Sequence, residues 1–320
     1  MVNTLIINPG SSNVKFRLYV GDKIVFDEII EGNNALIADR IVNKIKNYKV
    51  DKVAYRVVHG GDIKNHALIT NKVLNQIKKV SSLAPLHNLP FLRIFEVIKK
   101  KIPAAKHIAC FDTAFHRTMP DYARIYAIPE KFTKKYKIQR YGFHGLAHQY
   151  MAEIANKSGV ITCQLGNGIS ITAVKNGKSL DTSMGFTPLE GCVMGTRSGN
   201  IDPSLVAYLA KKEGKSADEI VKMLDNKSGL KGIANENDVR KLLKRKDARA
   251  KLALDILIYN IRKQIGAYTA VLGKVDLIVL GGGIAQSKKI VDKILSGFKT
   301  KHLIVETDEQ EVMFRISKRF

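Results

Sequence analysis

Three glycine-bearing loops in the 320-residue chain combine residue types suited to holding an anion. The first, Asn8-Pro9-Gly10-Ser11-Ser12-Asn13, supplies a glycine for close backbone approach and two hydroxyls, with Lys15 just beyond. Leu165-Gly166-Asn167-Gly168 supplies two more glycines. Gly281-Gly282-Gly283 sits between a strand-like run and a helix-like one, a place where backbone N–H groups converge. Phosphate needs such N–H groups, hydroxyls and a few cations. Any one of these loops alone is an ordinary turn; three in this order point to phosphate binding.

Other chemistries find less support. Neither Gly177-Lys178-Ser179 nor Gly214-Lys215-Ser216 has the upstream glycine of a Walker A loop, and no GxGxxG is present. His144 and His148 have the spacing of a zinc-binding helix, but Gly145 stands where that motif has Glu. Ser12 and Lys15 match a β-lactamase-type SxxK, which needs a helical turn. Val14, Phe16 and Leu18 alternate with Lys15 and Arg17 and predict a strand instead. Cys110, Cys163 and Cys192 lie far apart with no CxxC, so neither a disulfide framework nor a Cys-rich zinc site is expected.

The elements that must position these loops repeat. Residues 4–7 and 14–20 read as strands around the first loop, and Gly21-Asp22 as a hairpin turn into 23–29. Residues 160–165 and 169–175 do the same around the second loop, and Asn176-Gly177 turns the chain into 178–181. Strand, glycine loop, strand, tight turn, strand is thus written twice, about 155 residues apart; that spacing is too long for a solenoid and suits two similar domains. Further strands are predicted over 51–58, 106–111, 276–280 and 302–306. Helices are predicted over 35–47, 70–80, 89–100, 145–158, 202–213, 287–297 and 308–316. Another spans 248–272, where Leu254, Leu257, Ile258, Ile261, Ile265, Tyr268 and Leu272 form one apolar stripe. The fold class is α/β, and no low-complexity linker divides it.

Hydrophobic residues at 45% and charged residues at 26% exclude a mostly disordered chain. The N-terminus lacks a signal-peptide pattern and no window approaches 18 uninterrupted apolar residues. A cytoplasmic protein without a membrane span is therefore expected. Charge is unusual: 53 basic against 29 acidic residues give +24. The densest run, Arg240, Lys241, Lys244, Arg245, Lys246, Arg249 and Lys251, has no interleaved aromatic residues for base stacking. Nucleic acid is not expected as a partner, and the basic surface fits a protein that handles anionic substrates.

The order of the loops resembles the actin, hexokinase and sugar-kinase superfamily, and longer motifs narrow it. They include Ile7-Asn8-Pro9-Gly10-Ser11-Ser12, Arg56-Val57-Val58-His59-Gly60-Gly61, Ala84-Pro85-Leu86-His87-Asn88 and Phe111-Asp112-Thr113-Ala114-Phe115-His116. They continue with Tyr141-Gly142-Phe143-His144-Gly145 and Thr182-Ser183-Met184-Gly185-Phe186-Thr187-Pro188-Leu189-Glu190-Gly191, then Met194-Gly195-Thr196-Arg197 and Asn237-Asp238-Val239-Arg240. Through these the chain resembles the acetate kinase family along nearly its whole length. The resemblance implies a duplicated ribonuclease-H-like (actin-like ATPase) fold, two domains of mixed sheets flanked by helices with an interdomain cleft. The N-terminal domain would be 1–114 joined by the tail 308–320; 115–307 would bind nucleotide and dimerise. The implied reaction is Mg²⁺-dependent transfer (Mn²⁺ serving also) of the ATP γ-phosphoryl group to acetate, in line and reversible, by a homodimer.

Site residues carry over from the same motifs. Arg56 and Arg197 would hold the acetate carboxylate and the transferring phosphoryl group. His144 would donate to an equatorial oxygen, and Asp112 would position Mg²⁺ or the acceptor. Asn8 and Glu309 match the Mg²⁺-associated positions. Val58, Leu86, Phe143 and Pro188 match the pocket for the acetate methyl, with His87 beside them. Ser11, Ser12, Lys15, Gln164, Leu165, Gly166, Asn167 and Gly168 would line the phosphates. Asp238, Val239 and Arg240, with Gly283, Ile284, Ala285, Gln286 and Ser287, would face the rest of the nucleotide. The chain is shorter than the usual family member. It has Gly283-Ile284-Ala285-Gln286-Ser287 where Gly-Ile-Gly-Glu-Asn is usual, Gln164 where His is frequent, and Asp308 before Glu309 where Asn is usual. Two alternatives stay open: a propionate or butyrate kinase, and a catalytically weak nucleotide-binding or sensor protein. Intact Asn8, Arg56, Asp112, His144 and Arg197 argue against the second.

Overall fold

The computed structural model describes residues 1–10, 13–32 and 34–320, with only the backbone at 34 and 35. The chain divides into two compact units. The first comprises Met1–Arg117, Phe143–Leu146 and Asp308–Phe320. Its six-stranded sheet contains β1 (Asn3–Pro9), β2 (Asn13–Val20), β3 (Lys23–Glu31), β4 (Lys52–Val57), β5 (Ala67–Leu68) and β6 (Lys106–Phe111), in the order β3-β2-β1-β4-β6-β5. β1, β2 and β3 pair antiparallel; β4 runs parallel to β1, and β6 parallel to β4.

Alternation along the strands sorts the two faces. Leu5, Ile7, Phe16 and Leu18 share a buried core with Ile37 and Ile41 of helix Asn34–Lys44 and with Phe91, Ile94 and Ile98 of helix Pro85–Lys101. Burying each such side chain is worth about 1.5–3 kcal/mol. Arg17 and Tyr19 fall on the opposite face, under helix Glu309–Ser317. There Tyr19 stacks on Phe314 with centroids 3.6 Å apart, and Arg17 pairs with Asp308 at 2.8 Å. The parallel register sets Ile7 beside Tyr55 and Val57 beside Phe111. The carboxyl ends of β1, β4 and β6 therefore align, which is where open α/β sheets bind ligands.

The second unit comprises Thr118–Gly142 and Ala147–Thr307. Its five-stranded sheet contains β7 (Gly159–Leu165), β8 (Ile169–Lys175), β9 (Lys178–Thr182), β10 (Leu277–Gly281) and β11 (His302–Val305), in the order β11-β10-β7-β8-β9. Again an antiparallel trio is followed by two parallel strands. The order β3-β2-β1-β4-β6 recurs as β9-β8-β7-β10-β11, so the repeat in the sequence is a repeat of topology. Helix Ala248–Leu272 covers this sheet. Leu257, Ile258, Ile261, Ile265, Tyr268 and Leu272 of its expected stripe are buried, and Leu254 is half-buried.

Helix Pro85–Lys101 starts earlier than the expected 89. Pro85 takes the first turn, where a missing N–H is harmless, and Pro90 lies inside the helix with its ring buried. Helices Asp121–Arg124, Glu130–Tyr136, Ala217–Asn226, Gly229–Ala234 and Val239–Leu242, and strand β5, lie outside the expected elements.

Candidate active site

Parallel pairing brings Asn8, Arg56 and Asp112 to one end of the first unit's sheet. Arg56 Nε donates to both Asp112 carboxylate oxygens at 3.1 Å, and its Nη2 donates to Oδ2 at 2.7 Å. Nη1 donates to Asn8 Oδ1 at 3.3 Å and lies 3.5 Å from Glu309 Oε2. Asn8 Nδ2 donates to that same Glu309 oxygen at 2.7 Å. Asp112 is fully buried and the Arg56 side chain is 12% exposed. Glu309 comes from the first turn of the terminal helix. Asp308 caps that helix by accepting from Glu311 N at 2.9 Å, and Arg17 holds Asp308 in turn. Burial pushes the Asp112 carboxyl up; Arg56 opposes the rise and Glu309 adds to it. Burial works against the charged Arg56, but the Asp112 and Glu309 carboxylates hold its pKa above the ordinary value. One guanidinium thus faces two carboxyl groups.

Asp112 also accepts from the backbone N–H of His144. His144 has φ 55°, a left-handed conformation uncommon outside glycine. The next residue is Gly145, where an added Cβ would overlap the Asp112 carbonyl oxygen. His116 Nε2 donates to Phe143 O at 2.9 Å; a carbonyl can only accept, so this nitrogen carries the proton. His59 Nδ1 accepts from Gly61 N at 3.0 Å, and the Asn88 amide bonds both the N–H and the C=O of His59 at 3.1 and 3.0 Å. Burial holds His116 down at about 4, and burial followed by Arg117 holds His59 down at about 3. These two histidines are neutral supports; His144 is half-buried beside the ion pair.

The remaining expected residues of this unit are spread more widely. Val58 and Phe143 are buried, with the Phe143 ring 5.5 Å from that of His59. Leu86 is 46% exposed and His87 half-buried, both in the first turn of helix Pro85–Lys101. Lys15 is exposed on β2, paired opposite Asn8. Ser11 and Ser12 lie outside the described residues.

In the second unit, β10 pairs with β7 so that Gly281 lies beside Gln164. Gly282, at φ +88°, packs where a Cβ would meet the Leu165 carbonyl oxygen at 2.5 Å. The glycine hairpin and the Gly-rich turn thereby become neighbours. A pocket of about 520 Å³ opens here, and the expected residues Gly166, Asn167, Asp238, Val239, Arg240, Gly283, Ile284 and Ser287 line it. Asp238 caps helix Val239–Leu242 through Arg240 N at 2.8 Å and takes the Arg240 fork at 3.0, 3.2 and 2.7 Å. The Arg240 hydrogen bond holds Asp238 down at about 2. Ser287 makes no side-chain cap bond to the helix it precedes. Leu165 and Ala285 are fully buried, Gln286 is exposed, and Gly168 closes the hairpin by accepting from Gly166 N at 3.1 Å. Gln164 is half-buried, and its Oε1 has no hydrogen-bond partner among the described residues.

Arg197 stands on a loop fastened to this hairpin. Gly195 N donates to Asn167 O at 3.2 Å, and a Cβ on Gly195 would overlap Asn167 Oδ1. Arg197 Nε donates to Asp225 Oδ1 at 2.8 Å. Pro188 is half-buried on a loop held by Glu190, which accepts from Arg140 Nη2 at 2.6 Å and from the Tyr126 hydroxyl. Glu236, Asn237 and Lys241 also line the pocket. Asn237 belongs to a quoted motif; Glu236, paired with Lys241 at 3.4 Å, had no signal beyond proximity to it. Among the described residues no group of three or more His, Cys, Asp or Glu could hold a metal ion.

The Acetokinase family model matches residues 30–319. The acetate kinase of Thermoanaerobacterium thermosaccharolyticum is 42% identical over 96% of this chain and 90% of its own. Porphyromonas gingivalis acetate kinase, a solved structure, is 30% identical with a TM-score of 0.88, covering 100% of this chain and 99% of its own. A propionate kinase from Francisella tularensis is 34% identical with a TM-score of 0.89, covering 98% of each chain. Two mixed sheets of repeated topology, flanked by helices, are thus the duplicated ribonuclease-H-like fold of actin-like ATPases.

Proposed function

The chain belongs to the Acetokinase family, and on that footing we infer that it transfers the γ-phosphoryl group of ATP to acetate, giving acetyl phosphate and ADP. The observation that carries this reading is the buried Arg56 fork, fixed by Asp112 at the carboxyl ends of three strands. Phosphoryl transfer asks a protein for alignment and charge neutralisation, not covalent chemistry. Acetate is already deprotonated at neutral pH, so the reaction needs no base. Asp112, spent on Arg56 and the His144 N–H, suits a positioning role. Arg56 Nη1, in a long 3.3 Å bond to Asn8, remains suited to an anionic oxygen. His144 would donate to an equatorial phosphoryl oxygen, and Arg197 would hold the carboxylate or the phosphoryl group.

The pocket between the glycine hairpin and the segment 236–241 suits the nucleotide, with Gly166 and Asn167 toward its phosphates. Its Asp238–Arg240 pair leaves the exposed guanidinium face for stacking on a base. The oxygens that Asn8 and Glu309 bring together beside Arg56 fit a divalent cation, since Mg²⁺ takes few protein oxygens beside phosphate and water. Asn8 and Glu309 would hold Mg²⁺, or Mn²⁺ in its place. When bound, the ion supplies neutralisation of phosphate charge.

In the first unit, Val58, Phe143 and Leu86 would bound the acyl chain. One methylene is worth only about 1–3 kcal/mol in such a pocket, so propionate is a natural second substrate. A homodimer working in the cytoplasm completes the proposal. Among the described residues no helix is long and apolar enough to cross a membrane. A coupled ADP assay with acetate, propionate and butyrate tests the substrate class. The highest kcat/KM for acetate, abolished by chelating the divalent ion, is expected; ADP release that ignores the acid would defeat the reading.

A further inference from the structure

Asp225 stands in the last turn of helix Ala217–Asn226, where the helix dipole gathers negative charge and favours a cation. That turn has no basic residue of its own. A carboxylate there breaks a local rule, and such breaks concentrate where a site needs them. Arg197 supplies the compensation, with Nε on Asp225 Oδ1 at 2.8 Å and side chains 15% and 30% exposed. The surrounding backbone forms a clamp. Thr196 Oγ1 donates to Asp225 O at 3.0 Å, Ser198 N to Leu224 O at 3.0 Å, and Ser228 N to Thr196 O at 2.9 Å. Gly229, at φ +60°, packs so closely that a Cβ would overlap the Met194 carbonyl oxygen.

We propose that Asp225 is a positioning residue for phosphoryl transfer, aiming the Arg197 fork. A bond at Nε fixes the guanidinium plane, and with it the directions of Nη1 and Nη2. An arginine without that anchor keeps its rotamer freedom and meets the reacting oxygens in fewer of its conformations. The proposal rests on the role assigned to Arg197 above.

Steady-state kinetics on Asp225→Ala, Asp225→Asn, Arg197→Ala and the Arg197→Ala/Asp225→Ala double variant test it. Arg197→Ala is expected to lower kcat/KM for acetate by about 10³-fold or more. Asp225→Ala should lower it by about 10–100-fold, as loss of a supporting partner does, with KM for ATP little changed. Asp225→Asn keeps an oxygen for Nε and should recover most of the loss. The double variant should be no worse than Arg197→Ala, because Asp225 acts through that side chain. Should Asp225→Ala not fold, Asp225→Ser, too short to reach Nε, carries the same expectation. Wild-type kinetics for Asp225→Ala beside a crippled Arg197→Ala would overturn the positioning role alone. Losses that multiply in the double variant would overturn it as well. Normal turnover by Arg197→Ala would instead remove the role of Arg197 on which it rests.

Discussion

Arg56 and Asp112 make each other's burial tolerable: three contacts at 2.7–3.1 Å join them where water scarcely reaches. Arg56→Ala would leave the carboxylate buried and unpaired. The expected cost is about 3–5 kcal/mol in urea unfolding. Activity should fall with it, by about 10³-fold in kcat/KM. Arg56→Lys keeps the charge without the fork, so it should recover part of the stability and little of the rate. An alanine variant as stable as the parent would refute this view of the pair. Asn8, Arg56 and Asp112 were legible through the family motifs that contain them; taken singly, an arginine reads as a surface charge and a strand-end aspartate as a cap. Asp225 and Glu236 were not, because what they hold lies elsewhere in the chain or is the backbone beside them. His59 and His116 lie inside the family motifs, and burial makes them neutral supports.

At the scale of elements, the terminal helix brings Glu309 to Asn8, and Asp308 sets that helix in place. Asp308 both caps Glu311 N and pairs with Arg17 beneath the sheet. Asp308→Ala should cost about 0.5–2 kcal/mol for the cap. It should also raise the Mg²⁺ concentration needed for half-maximal rate, because Glu309 loses its anchor. An unchanged Mg²⁺ dependence would show that Glu309 is placed without that anchor. The strands flanking each glycine loop were readable from alternation and tight turns, and so was the repeat they form. Helix Ala217–Asn226 carried a readable sign, the reciprocal Ser216–Glu219 capping box, with bonds of 2.9 and 3.3 Å. The start of helix Pro85–Lys101 was misplaced at 89, because a proline reads as a first-turn residue and Pro90 instead packs inside the helix.

Across the whole molecule, neutral histidines tie stability to pH. Burial is the first cause in holding His59 at about 3 and His66, His107 and His116 at about 4. In the unfolded chain a histidine takes its proton near 6.5. Between about pH 6.5 and 4 the unfolded state binds more protons, so stability is full above that window and is lost as pH falls through it. Each histidine can contribute on the order of 1–3 kcal/mol, and urea midpoints measured from pH 7 to 4 should fall steeply. A flat profile would mean that these rings are protonated in the folded protein. The net charge of +24 suits the handling of anions without identifying any of them; the motifs and the family did that. The most direct test of the central claim is hydroxamate trapping of acyl phosphate, with purified protein, ATP, Mg²⁺ and acetate, and Arg56→Ala run in parallel. The account predicts acetate-dependent acetyl phosphate from the parent chain, lost without Mg²⁺ and nearly lost in the variant. Folded, ATP-binding protein that forms no acyl phosphate from acetate, propionate or butyrate would contradict it.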